Sequence, residues 1–211
     1  MISQQITDLL EENLPFTEPM LSQLLNFYQT PTRFYHTIEH VCDVIQHYRD
    51  VKSLGLWHRP NEVYLAALYH DAIYEYGAKD NELRSAQIAR ACLQEWYDEY
   101  KIDADYVAHL IELTARHGSL TSQDVNTEES LFLDCDLVII ASPWERFSLY
   151  QSQIEREYTQ VYSRLLYRVG RQRFLRSLAK KERLFLSDHF HERYDQQARA
   201  NLKRALSWIN V

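Results

Sequence analysis

Three short segments carry side chains of the kind that ligate metal ions: Tyr35-His36-Thr37-Ile38-Glu39-His40, Tyr69-His70-Asp71 and Leu133-Asp134-Cys135-Asp136-Leu137. None is diagnostic alone, because a single histidine on a helix is usually a hydrogen-bonded core or surface residue. Together they offer imidazoles and carboxylates. That donor set suits a first-row divalent ion (Mn, Fe, Co, Ni or Zn) better than calcium, and the lack of thiolate ligands argues against a structural zinc site. A catalytic ion with open positions lowers the pKa of a bound water towards neutrality and neutralises phosphate charge, so the expected chemistry is metal-assisted hydrolysis at phosphorus.

Helical spacing ranks these residues. His36 and His40 are one turn apart and share a face of the expected helix. His40 lies at the margin of the apolar arc next to Val44 and is the deeper ligand, whereas His36 is the more accessible group. Adjacent residues on a helix diverge by about 100°, so His70 and Asp71 grasp one ion only from a helix that crosses the cleft at its edge. Asp134 and Asp136 face opposite sides of their helix and do not readily serve the same ion.

The elements that position them are all helical. Thr17 and Pro19 open a helix carrying Leu21, Leu24, Leu25 and Tyr28, which Pro31 ends. Phe34, Ile38, Val41, Ile45 and Tyr48 mark a second helix, stopping near Gly55. A third runs from Asn61 to about Tyr76, with Gly77 as its C-cap. Asp80 caps a fourth that reaches about Tyr100, and Asp103 caps a fifth that reaches Gly118. After a polar loop, Thr127 opens a helix with Leu131, Phe132 and Leu137. Ser142-Pro143-Trp144-Glu145 has capping-box order and predicts a sharp bend. Further helix follows, ending in Leu202, Leu206, Trp208 and Ile209.

Composition agrees with this reading. The chain has 211 residues, 45% of them apolar, with four glycines and five prolines. That predicts a single all-α domain, with a core over about residues 20–142 and C-terminal helices over 143–211 packed on it. A net charge of −7 disfavours a nucleic acid polymer as partner. Residues 1–5 lack the features of a leader, no apolar run approaches the roughly 20 residues of a membrane span, and Cys42, Cys92 and Cys135 suggest no disulfide framework. The expectation is a cytoplasmic protein without a membrane partner, and a homo-oligomer is compatible with the sequence.

The order His40, His70-Asp71, Asp136 resembles the H…HD…D signature of HD-domain phosphohydrolases. Arg33-Phe34-Tyr35-His36-x-x-x-His40, Tyr69-His70-Asp71-Ala72-Ile73-Tyr74 and Asp80-Asn81-Glu82-x-x-Ser85-Ala86, with the Asp136 segment, resemble a bacterial subfamily of predicted HD hydrolases, from about Arg33 to Asn201. The resemblance implies an HD-type helical bundle with His40, His70, Asp71 and Asp136 as ligands of one divalent ion, Asp134 being the nearby competitor. It implies His36 as the acid that protonates the leaving oxygen and Glu75 as a carboxylate that helps to activate water. Glu82 is a candidate partner of a metal ligand, and His117 a candidate ligand of a second ion, although the double-histidine pattern of dinuclear members is incomplete. Arg33, Arg168 and Arg171 are candidate phosphate contacts, within a stretch from Arg164 to Arg183 that holds eight cations against Glu182 alone.

The substrate class that follows is a phosphate ester or anhydride of a nucleotide-like small molecule. Two other readings stand beside it: a diiron HD-fold oxygenase, and a non-catalytic, metal-stabilised nucleotide-binding module.

Overall fold

The computed structural model describes residues 14–208, Trp208 by its backbone alone. Residues 1–5 and Ile209, both used above, lie outside the described residues. The fold is all-α as expected, with no strand among the described residues, and no helix there is long and apolar enough to cross a membrane. The chain forms two compact units, one ending at Ala115 and one starting at Arg116. The helix that carries Asp136 therefore groups with the C-terminal helices, where the sequence suggested a core extending to 142.

The first unit contains α1 (Glu18–Tyr28), α2 (Ile38–Ser53), α3 (Pro60–Tyr69), α4 (Asn81–Trp96), a 3-10 turn (Asp98–Tyr100) and α5 (Ala104–Thr114). Every residue of α3 from Val63 to Tyr69 is buried, and a helix that is apolar all round belongs inside its bundle. α2, α4 and α5 pack against it, and Tyr28 of α1 donates its hydroxyl to the Leu68 carbonyl at 2.6 Å. The caps at Thr17 and Asp103 form as expected, with Met20 N–H and Tyr106 N–H as donors.

α3 stops at Tyr69, well short of Tyr76, and residues 70–80 run as successive turns. The cause lies in side chains that take the backbone groups a continuing helix would have used. Arg33 donates to the carbonyls of Asp71 and Ala72, Ser85 Oγ accepts the Ile73 N–H, and Asn81 Oδ1 accepts the Glu75 N–H. Gly77, at φ +84°, serves a turn in this segment and caps no helix. Three other boundaries move. α2 begins at Ile38, leaving Phe34 and His36 in the preceding loop; α4 ends at Trp96; α5 ends at Thr114. Asp80 occupies the N-cap position of α4 but makes no side-chain cap bond.

The second unit contains α6 (Thr127–Leu137), a 3-10 turn (Val138–Ala141), α7 (Trp144–Tyr158), α8 (Arg164–Ala179) and α9 (Asp188–Trp208). Asn126, one residue before the expected Thr127, caps α6 in a capping box with Glu129. The bend before α7 is present, yet Ser142 does not cap it: its hydroxyl donates back to the Ile139 carbonyl at 2.8 Å. Asn201 of α9 donates to the carbonyls of Ile140 and Ser142 and so fixes α9 to that bend.

Asp134, buried in α6, accepts hydrogen bonds from the Leu186 and Ser187 N–H groups and from the Ser187 hydroxyl, at 2.8, 2.8 and 2.6 Å. Burial pushes its carboxyl up to about 6, against the opposite pull of the Ser187 and Leu186 donors. Both oxygens face donors, so Asp134→Asn sets an amide N–H against another donor. A loss of about 2 kcal/mol in urea-unfolding stability is expected; an unchanged midpoint would show that this anchor does not hold the start of α9.

Candidate metal centre

His40 lies in the first turn of α2, and His70 and Asp71 follow α3 directly, so two chain segments deliver three ligand-type side chains. His40 and His70 are buried, at 3% and 2% exposure, and Asp71 is half-buried. Their Nε2 atoms are 3.1 Å apart; Asp71 Oδ2 lies 3.2 Å from His70 Nε2 and 3.6 Å from His40 Nε2. An ion with bonds of about 2.1 Å sets neighbouring ligand atoms about 3.0 Å apart in an octahedron and about 3.4 Å apart in a tetrahedron. The three atoms thus form a triangle of the size that one such ion requires, and the group can hold a metal ion.

The surroundings orient these donors. His70 Nδ1 donates to the Ala67 carbonyl at 2.9 Å, which leaves the Nε2 lone pair for the cluster. Burial acts to raise the Asp71 carboxyl, but the charge and hydrogen bond of His70, joined by the charges of His36 and His40, hold it well below the usual carboxylate range. An anionic oxygen is therefore maintained beside the two imidazoles.

His36 stands next to this group, although not on the helix face expected for it. From the loop before α2 its ring stacks on Tyr74, centroids 3.7 Å apart, and lies 6.0 Å from the His40 ring. Arg33, a candidate phosphate contact from the sequence, is buried and fastened to the protein. Nη1 donates to the carbonyls of His36 and Asp71 at 3.1 and 2.7 Å, and Nη2 to that of Ala72 at 3.0 Å. Its guanidinium also sits over the rings of Tyr28 and Tyr74, 5.4 and 5.9 Å from their centroids.

Glu75 is exposed and paired with Arg84 at 2.7 Å, and this hydrogen bond lowers its carboxyl. Glu82 sits half-buried in the first turn of α4. The residues that shape this region are Asn81 and Ser85 of the same motif. Asn81 bonds both backbone groups of Glu75, and Ser85 both backbone groups of Ile73. Their spacing in the Asp-Asn-Glu-x-x-Ser-Ala motif was the available signal.

In the second unit Asp136 lies near the end of α6, with Oδ2 3.3 Å from His117 Nδ1, while His117 Nε2 donates to the Leu133 carbonyl at 2.6 Å. Its neighbour Asp134 is committed to Leu186 and Ser187. Arg168 is exposed, whereas Arg171 turns inward, donating to Gln151 Oε1 at 2.8 Å and lying over the Tyr150 and Phe174 rings. The two arginines do not share one exposed face. Comparison with protein-family models, with curated proteins and with solved structures returns no match. Fold and site thus define an all-α protein with a group of two histidines and one aspartate that can hold a metal ion.

Proposed function

We propose that this chain is a metal-dependent phosphohydrolase of the HD type, acting on a phosphate ester or anhydride of a nucleotide-like small molecule. The observation that carries the reading is the convergence of His40 Nε2, His70 Nε2 and Asp71 Oδ2 within 3.6 Å. A divalent transition ion, when bound, supplies Lewis acidity towards phosphate and eases deprotonation of water. The rest falls to the protein. In hydrolysis the oxygen of water bonds to phosphorus as the bond to the leaving oxygen breaks, the attacking water gives up a proton to solvent, and the leaving oxygen takes one up. His36, with an imidazole that can carry a proton and a place beside the cluster, is the residue assigned to donate it. Arg33, Asn81 and Ser85 hold the turn that carries His70 and Asp71. The resemblance assigns a fourth ligand, Asp136, and the same measurement tests it.

Elemental analysis of the purified chain, followed by hydrolysis assays over a nucleotide series, decides the matter. The expected result is one transition-metal ion per chain, with phosphate release abolished by chelation and restored by the ion. Asp136→Ala should lower the metal content. Metal-loaded protein that hydrolyses no nucleotide or generic phosphate ester would overturn the enzyme in favour of a binding module. Two irons per chain with oxygen uptake would overturn it in favour of an oxygenase.

A further inference from the structure

Of the eight cations between Arg164 and Arg183, three are held by the protein. Arg171 is bound by Gln151, Lys181 donates to the carbonyls of His117 and Leu120, and Arg183 pairs with Asp188. Arg164, Arg168, Arg173, Arg176 and Lys180 are all exposed and have no ion pair among the described residues. Four of these five lie on α8, a helix without a single acid. The same helix exposes Leu165, Leu166 and Val169 at 73%, 63% and 52%.

At about 100° per residue, Leu165, Leu166, Val169, Arg173, Arg176 and Lys180 fall within one arc of about 100°, opposite the buried Leu175 and Leu178. This outward face is apolar near its start and cationic towards its end. A shallow concavity of about 370 Å³, lined by Val169, Gln172, Arg173, Arg176, Ser177 and Lys180, joins the two halves.

We propose that this face docks on an anionic phospholipid bilayer. Leu165, Leu166 and Val169 enter the acyl boundary, and Arg173, Arg176 and Lys180 bind headgroup phosphates. A bilayer supplies both partners the face lacks, apolar depth and negative charge. A nucleic acid would leave the leucines in water, and a second copy applied through the same face would bring no acid to the cations, since α8 carries none. With the whole chain at −7, the remainder repels an anionic surface while α8 is drawn to it, which orients the encounter. Such contact needs no membrane-spanning helix, so it revises the expectation of no membrane partner. It does not rest on the metal centre.

The test is co-sedimentation of the full chain with vesicles of phosphatidylcholine alone and of phosphatidylcholine with phosphatidylserine. Much tighter binding to the second than to the first is expected, with the difference shrinking as salt is added. Arg173→Glu/Arg176→Glu should lower partitioning about fivefold for each cation removed, or more. The charge-matched Lys79→Glu/Arg116→Glu, at exposed residues that are not part of α8, should lower it far less. Leu165→Ser/Leu166→Ser should remove the binding that persists in high salt. Circular dichroism identical to that of the parent confirms folded variants. Equal binding to both vesicles, or equal losses in the two charge-reversal variants, overturns the proposal. So does affinity for glycerol phosphate without affinity for vesicles. An oligomer dissolved by the leucine substitutions, or capture of an acidic protein, in the absence of vesicle binding would also overturn it.

Discussion

Alanine at His70 or Asp71 is expected to lower affinity for the divalent ion by about 100-fold or more and to abolish metal-dependent phosphate release. Loss of a residue that merely supports a ligand costs about 10- to 100-fold, and the proposed function makes these two ligands themselves. Titration of the metal-free protein with Zn²⁺ or Mn²⁺ in the presence of a chromogenic chelator reads the affinity directly. A thermodynamic readout independent of activity accompanies it. An ion present at about 100 times its dissociation constant stabilises the folded chain by about 2.7 kcal/mol, and the alanine variants should gain nothing under the same conditions. Asp71 adds a dependence on pH. Its carboxyl is held below its ordinary value in the folded chain, so its contribution to stability is complete above pH about 4 and is lost as pH falls below that. In metal-free protein, the stability difference between the parent and Asp71→Asn should therefore shrink on acidification below pH about 4. Equal metal stabilisation of the parent and both alanine variants would remove His70 and Asp71 from the centre.

Much of this was legible in the chain. A helix from Asn61 onward was readable from the spacing of Val63, Tyr64, Ala67 and Leu68, and scarce glycine and proline fit an all-α fold. The proximity of His36, His40, His70 and Asp71 was also readable, but the reason for it was not. Helical periodicity placed His36 on the helix of His40, whereas the structure places it in a loop held by Arg33 and stacked on Tyr74. Periodicity likewise carried α3 through His70 and Asp71 to Tyr76. The helix ends earlier because Arg33, Asn81 and Ser85, remote in sequence, capture its backbone groups, and spacing within one segment cannot reveal partners supplied by another. The same limit made Arg33 and Arg171 look like phosphate contacts. A guanidinium near a ligand motif has the right charge for an anion, and only the folded chain shows that carbonyls, an amide oxygen and aromatic rings occupy it. Asp134 and Asp136, two residues apart, separate by the same logic: the first meets the start of α9, the second meets His117.

Substitution of Arg33 is expected to act on the metal centre without touching it. Its planar fork spans three carbonyls from two segments, those of His36, Asp71 and Ala72, so it fixes the loop of the candidate acid to the turn of two candidate ligands. Arg33→Ala leaves these acceptors unpaired in a buried place. At about 1 kcal/mol or more each, the stability loss should reach about 3 kcal/mol. Arg33→Lys restores the charge but not the fork, since one ammonium cannot reproduce the paired geometry. It should retain part of the stability and still lose about 10- to 100-fold in metal affinity, the range typical of residues that orient ligands. The kinetic pattern separates this role from phosphate binding. A positioning residue lowers metal affinity and, at saturating metal, kcat, with little effect on KM. A phosphate contact raises KM and leaves metal affinity untouched. Unchanged metal affinity in Arg33→Lys together with a raised KM would return Arg33 to the substrate, and the turn carrying His70 and Asp71 would then have to be held by Asn81 and Ser85 alone.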